Sequence, residues 1–227
     1  MILEIDKTAI LELVYRQVGN NFTISEAEKR EIEGSFDDAL EACEENFRHS
    51  SNKYYVREVE GKKDSYFNPF HSVQWMIFLY YLAHYIYKNG SNSKVCDKLY
   101  YLNKLMNGLD MFYAIELPAH FGAEHPVGSV MGRAKFGDNF FFYQGCTVGG
   151  THSKDGIINY PVIGDNVRMY ANSSILGKCL IGKNVQIGAG ALVKNQDIPD
   201  TAVVFGQSPN LIIKQSTDEQ ESHYNRG

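Results

Sequence analysis

The sequence predicts an α+β chain, with a helical N-terminal region followed by a parallel β-helix of six-residue repeats. Three observations carry this expectation. Ile163, Met169, Ile175, Ile181, Ile187 and Val193 stand six residues apart without a miss. Val167, Ser173, Cys179, Val185, Ala191 and Asp197 follow them four residues later, small or thin in five cases of six. Upstream of about residue 110 the apolar spacing is helical, and that period is lost after Pro118.

The elements follow in order. Ser25 and Glu28 form a capping box, after which Ile32, Phe36, Leu40, Cys43 and Phe47 repeat at helical spacing. A polar stretch from Ser50 to Ser65 separates that helix from the next. Phe70 to Tyr87 is almost wholly apolar or aromatic and long enough to weigh as a membrane span. His71, Gln74 and His84 within it, and its many tyrosines, favour a buried core helix instead. Val95, Leu99, Leu102 and Met106 mark one face of a further helix, which Gly108 stops. All these stripes read as core.

The six-residue period is itself grouped in eighteens. Gly164-Asp165-Asn166 and Gly182-Lys183-Asn184 are spaced by eighteen, and Gly137-Asp138-Asn139 shares their phase once an insertion after Thr151 is allowed. Such grouping means a three-sided coil, each hexad a short strand plus a corner. One aliphatic residue per hexad points inward, and Gly and Asn suit the corners because they tolerate positive φ. A Val/Ile-rich sandwich would alternate every two residues. The expected organisation is a helical domain over 1–115, a β-helix over 116–214 and a polar tail over 215–227.

Composition narrows the function. Hydrophobic residues make up 44% of the 227 positions, enough for a sizeable core, and 20 Gly with 6 Pro excludes collagen-like and proline-rich classes. A net charge of −5 argues against nucleic acid as a partner. Cys43, Cys96, Cys146 and Cys179 match no zinc spacing and read as reduced, buried thiols of a cytoplasmic protein. The charged N-terminus has no signal-peptide pattern, and no stable membrane insertion is expected.

Three stretches carry a resemblance to a known family. Phe70-His71-Ser72-Val73-Gln74 resembles the Phe-His-Ala-Leu-Gln start of a family helix. His125-Pro126-Val127-Gly128, preceded by Glu124, resembles a His-Ala-Thr-Gly motif. Cys146 to Thr151, then a loop and the repeat resumed at Ile163-Gly164, resembles a Val-Thr-Leu-Gly-Gly-Thr stretch. The chain thus resembles the hexapeptide-repeat acyltransferases, and the serine acetyltransferases in particular, over roughly residues 66–214.

The resemblance implies a left-handed coil, a homotrimer or dimer of trimers, and acetyl-CoA as donor between neighbouring subunits. It implies His125 as general base on an acceptor hydroxyl, which at neutral pH needs such help to attack a thioester. Glu116 and Glu124 are the candidates for the acid that orients it. The family's donor-site positions match Gly150, Thr151, Ala171 and Ala189, with Gly190 beside the last. Lys194 or Lys214 would meet the nucleotide phosphates. No metal is expected; His120, His125 and His152 lack the spacing of a zinc seam.

The sequence also departs from the family. An Arg-His pair before the loop-closing Pro, which meets the acceptor's carboxylate, is replaced by Asn159 and Tyr160 ahead of Pro161. These neutral groups suit a sugar better than an amino acid, while His152 in the same loop is the candidate to substitute for the lost cation. The chain ends Asn225-Arg226-Gly227 and lacks the isoleucine with which serine acetyltransferases dock to cysteine synthase, so that docking is not expected. The expectation is O-acetylation of a sugar hydroxyl. The alternatives are O-acetylation of L-serine, N-acetylation of an amino sugar, and a non-catalytic β-helix scaffold.

Overall fold

The structure is a computed structural model that describes residues 1–50, 52–90 and 94–216. The C-terminal residues noted above lie outside this range. The chain divides into two compact units, one holding Met1–Asn107 with Phe112–Ala114, the other Gly108–Met111 and the chain from Ile115.

In the first unit, β1 (Ile2–Leu3) precedes α1 (Lys7–Asn21) and α2 (Glu26–Arg48). The capping box is formed: Ser25 accepts from the Glu28 amide, and Glu28 returns to the Ser25 amide at 2.8 Å. Ile32, Phe36, Leu40, Cys43 and Phe47 are all buried. The polar stretch is not a plain separator. It forms β2 (Val56–Val59) and β3 (Lys62–Phe67), a hairpin whose second strand pairs in parallel with β1. Its sequence hides this because β2 and the start of β3 are exposed and charged, with only Ser65, Tyr66 and Phe67 buried.

The aromatic stretch forms α3 (Ser72–Lys88), buried from Gln74 to His84. Its polar residues are each satisfied. Gln74 accepts from the Asn68 amide at 2.7 Å and donates to the Tyr54 carbonyl at 2.8 Å, and His84 Nδ1 lies 2.7 Å from the Tyr113 carbonyl. Hydrogen-bonded in this way, they cost little to bury. Trp75 and Phe78, with centroids 5.1 Å apart, join Phe67 and Phe36 in an aromatic core. Among the described residues no helix is long and apolar enough to cross a membrane. In α4 (Lys94–Asn107), Val95, Leu99 and Leu102 are buried, but Met106 is 49% exposed, contrary to the expected stripe. Gly108 follows directly at φ +63°.

The second unit is the coil. It opens with β4 (Asp110–Met111), β5 (Phe121–Ala123), β6 (Val130–Met131), β7 (Lys135–Phe136), β8 (Phe140–Phe142) and β9 (Thr147–Gly149). A hairpin, β10 (Thr151–His152) and β11 (Ile158–Asn159), interrupts it. The coil resumes through β12 (Val162–Ile163), β13 (Arg168–Met169), β14 (Ser174–Leu176), β15 (Leu180–Ile181), β16 (Gln186–Ile187) and β17 (Leu192–Lys194). It ends in β18 (Ala202–Phe205) and the antiparallel β19 (Ile212–Gln215).

Three parallel faces result. Face one carries β7, β12 and β15; face two carries β5, β8, β13, β16 and β18; face three carries β4, β6, β9, β14 and β17. Every inward residue from Ile163 to Val193 is at most 2% exposed. The corner after face one stacks three asparagines: Asn139, Asn166 and Asn184, all near φ +58°, each donating its side-chain amide to the next in hydrogen bonds of 2.8 and 2.9 Å. Asp197, the odd residue in the thin set, marks a change of pitch. Ile198 takes the inward place, bridging Ile181, and Asp197 turns out to accept from the Leu180 amide at 2.8 Å.

Candidate active site

The corner after face two holds the candidate base. Ala123, Phe142, Met169 and Ile187 are paired rungs, and the turns beyond them stack Val127, Gln144, Ala171 and Ala189 in one row along the coil, with His125 in the longer first turn just ahead of that row. The chain continues this row with bonds from the Asn172 amide to the Gln144 carbonyl and from the Gly190 amide to the Ala171 carbonyl. His125 stands at this corner, two residues before Val127, at φ +51°, a left-handed conformation uncommon for residues other than glycine. Pro126 is buried behind it, and Ser129 ties the turn down by donating to the Tyr143 carbonyl at 3.0 Å. The imidazole therefore points outward, its side chain 80% exposed, with Nε2 3.9 Å from Glu124 Oε1.

Of the two candidate acids, Glu124 is the one whose carboxylate lies beside the His125 ring, and Glu116 follows Ile115 at the start of the second unit. Glu124 also faces Tyr143 on the next rung. Burial, and then the Glu124 carboxylate, push the Tyr143 phenol up. His120 is held differently: its Nδ1 lies 2.8 Å from Asp138 Oδ2 and its amide donates to Oδ1. That dyad ties the start of β5 to the corner after face one and keeps His120 largely covered.

The remaining candidates stand at another corner, after face three. Gly149, Leu176 and Lys194 are paired rungs there, so Gly150, Gly177 and Asn195 follow in a row. A Cβ on Gly150 would lie 2.6 Å from Ile158 and 2.8 Å from the Tyr160 ring, so glycine is what lets the hairpin fold down on the coil. Thr151 donates to Asn195 Oδ1 at 3.2 Å. Asn159 pairs with Thr151 across the hairpin, His152 is exposed beside it, and Tyr160 keeps 38% of its surface open. Lys194 is exposed on face three, Lys214 on β19 beside face two.

One chain thus gathers His125, Glu124, Ala171, Ala189 and Gly190 at one corner, and Gly150, Thr151, His152, Asn159, Tyr160 and Lys194 at another. Tyr143 beside Glu124, and Tyr170 stacked on it, went unread in the sequence. Discounting the loop after Thr151 would have put Tyr143 and Tyr170 in one register.

With this geometry in view, the bacterial transferase hexapeptide (six repeats) family matches residues 160–195. These residues carry the hexapeptide repeat, and the chain is similar to serine acetyltransferases. It is 34% identical over 140 residues to the serine acetyltransferase of Staphylococcus epidermidis, covering 61% of this chain and 64% of that one. The Staphylococcus xylosus enzyme is 36% identical over 149 residues, with 61% and 63% covered. The chain therefore spans just under two thirds of these relatives' length. Among solved structures, Neisseria gonorrhoeae serine acetyltransferase superposes with a TM-score of 0.63 at 28% identity, over 82% of this chain and 71% of that one. The Brucella abortus serine acetyltransferase reaches 0.70 at 20% identity over 93% and 84%, a likeness of fold. The coil of this hexapeptide-repeat protein is the left-handed β-helix of those proteins.

Proposed function

We propose that this hexapeptide-repeat protein is an acetyl-CoA-dependent O-acetyltransferase whose acceptor is a small hydroxyl compound. The observation that carries the reading is His125, exposed in a left-handed conformation beside Glu124, at the corner whose row holds the thin residues Ala171 and Ala189. Ala171 and Ala189 leave that row open to an extended, amide-bearing arm such as pantetheine. As the acceptor oxygen attacks the thioester carbonyl, His125 takes the hydroxyl proton. The new C–O bond forms, the C–S bond breaks, and His125 returns the proton to the departing CoA sulfur. A base of this kind contributes about 10²–10⁴ in rate.

L-serine is the acceptor that the relatives support. The expected sugar gains no support from them, since those named above are serine acetyltransferases. One observation keeps a sugar as the second reading: Asn159 and Tyr160 are neutral, and the Tyr160 ring lies open on Gly150. A carboxylate finds no cation in that pair.

The division of candidates between two corners supports a site shared by adjacent copies, as in a trimer. Each copy would lend the His125 corner to one site and the hairpin corner to another. The test is release of free CoA from acetyl-CoA with L-serine and, in parallel, with monosaccharides. Release with L-serine that disappears in His125→Asn supports the reading; release only with sugars corrects the acceptor; no release with any acceptor overturns it.

A further inference from the structure

Glu124 and His125 are both well exposed, and their contact at 3.9 Å is longer than a hydrogen bond. Something must keep the carboxylate from swinging into solvent if it is to serve the imidazole. The neighbouring rungs supply it. β5 and β8 run in parallel with Ala123 opposite Phe142, and the Glu124 amide donates to the Phe142 carbonyl at 3.1 Å. The residue after Phe142, Tyr143, therefore stands beside Glu124 on the neighbouring rung.

Tyr143 is itself held from two sides. Its ring stacks on Tyr170 of the following rung, centroids 5.5 Å apart and planes 7° from parallel. Tyr170 donates its hydroxyl to Gln186 Oε1 at 3.2 Å, one rung further. Phe141 meets Tyr143 edge-on at 5.4 Å, and the Arg168 guanidinium lies over Phe141 at 5.8 Å. Offset stacking of this kind restrains a phenol at little entropic cost. The ladder Gln186–Tyr170–Tyr143 thus ends beside Glu124.

We propose that Tyr143 is a positioning residue: its hydroxyl anchors the Glu124 carboxylate against His125, so that the imidazole is oriented through Glu124. The proposal rests on the reading of His125 as the base. Tyr143 touches no reacting atom in this account.

A double-mutant cycle tests it. In the CoA-release assay with L-serine, Tyr143→Phe should lower kcat about tenfold, the worth of one charge-assisted hydrogen bond, with the KM for acetyl-CoA unchanged. In a Glu124→Gln background the same change should cost less than twofold. Equal losses in both backgrounds, or no loss in either, overturn the proposal. Thermal unfolding of the same four proteins gives a readout independent of turnover. Non-additive shifts in Tm support the Tyr143–Glu124 anchor, and additive shifts overturn it. A wild-type protein that releases no CoA with any acceptor overturns the proposed reaction, and the Tm cycle then still decides on the anchor.

Discussion

At the scale of single residues, His125 combines two unusual properties, a left-handed backbone and a largely open side chain. A backbone held there costs about 1–2 kcal/mol relative to the right-handed regions. The buried Pro126 and the Ser129 clamp hold the turn and aim the ring outward. His125→Asn keeps a residue suited to that backbone and removes the base. We expect kcat to fall by ~10²–10⁴ with the KM for acetyl-CoA little changed. Steady-state kinetics with L-serine check this. Gly150 is the second single-residue case. Gly150→Ala sets a methyl against Ile158 and Tyr160 and lifts the hairpin. The expected result is an acceptor KM raised about tenfold, more than that of acetyl-CoA.

At the scale of elements, the two units rest on different devices. The start of α2 is held by the capping box and by Lys98 of α4, which bonds Glu28 and the Thr23 carbonyl. The hydrogen bond from Lys98, then the Ser25 amide, hold the Glu28 carboxyl below the usual carboxylate range. A depressed folded value stabilises the fold above the unfolded pKa of about 4.3, and that contribution is lost as pH falls. Glu28→Gln should flatten the fall in Tm between about pH 5 and pH 3. Scanning calorimetry over that range, compared with the parent, is the check. In the coil the device is close stacking. A Cβ on Gly137 would lie 2.4 Å from the Gly164 carbonyl carbon. Backbone cannot yield as a side-chain tip does, so Gly137→Ala should destabilise by about 1–3 kcal/mol. That predicts a Tm several degrees lower.

The elements also differ in how far they could be read beforehand. The capping box and the six-residue period were plain because both are local: each hydrogen bond or inward side chain recurs at a fixed short spacing. The β2–β3 hairpin was missed because its strands carry Arg57, Glu58, Lys62 and Lys63, with no apolar alternation to find. Met106 misled in the opposite sense, since it lies at helical spacing yet beyond the last turn that the core covers.

At the scale of the whole molecule, the candidates fall at two corners of one coil. A site shared between copies makes a sharp forecast. His125→Asn alone and an inactive variant at the other corner, such as Gly150→Trp, should each be inert. Co-assembled, they should regain activity, because some sites then draw both corners from intact copies. Two changes placed in one chain should show no recovery when mixed with themselves. Light scattering should give a trimer or a multiple of it; a monomer at micromolar concentration would end this account.

The repeating coil, its inward residues, its asparagine corners and the motif around His125 were all settled by order along the chain. Period alone dictates which residues point into a prism and which turn its corners. Tertiary structure decided the rest. It held Glu124 at 3.9 Å from the imidazole, stacked Tyr143 on Tyr170 across the inserted hairpin, and laid Tyr160 on Gly150. The tyrosine stack joins neighbouring coil turns, whose alignment depends on where the hairpin interrupts the count. The pitch change at Asp197 has the same origin, since the backbone ladder admits Ile198 inward one place early. Local pattern governs faces and corners; rung-to-rung register governs which side chains meet.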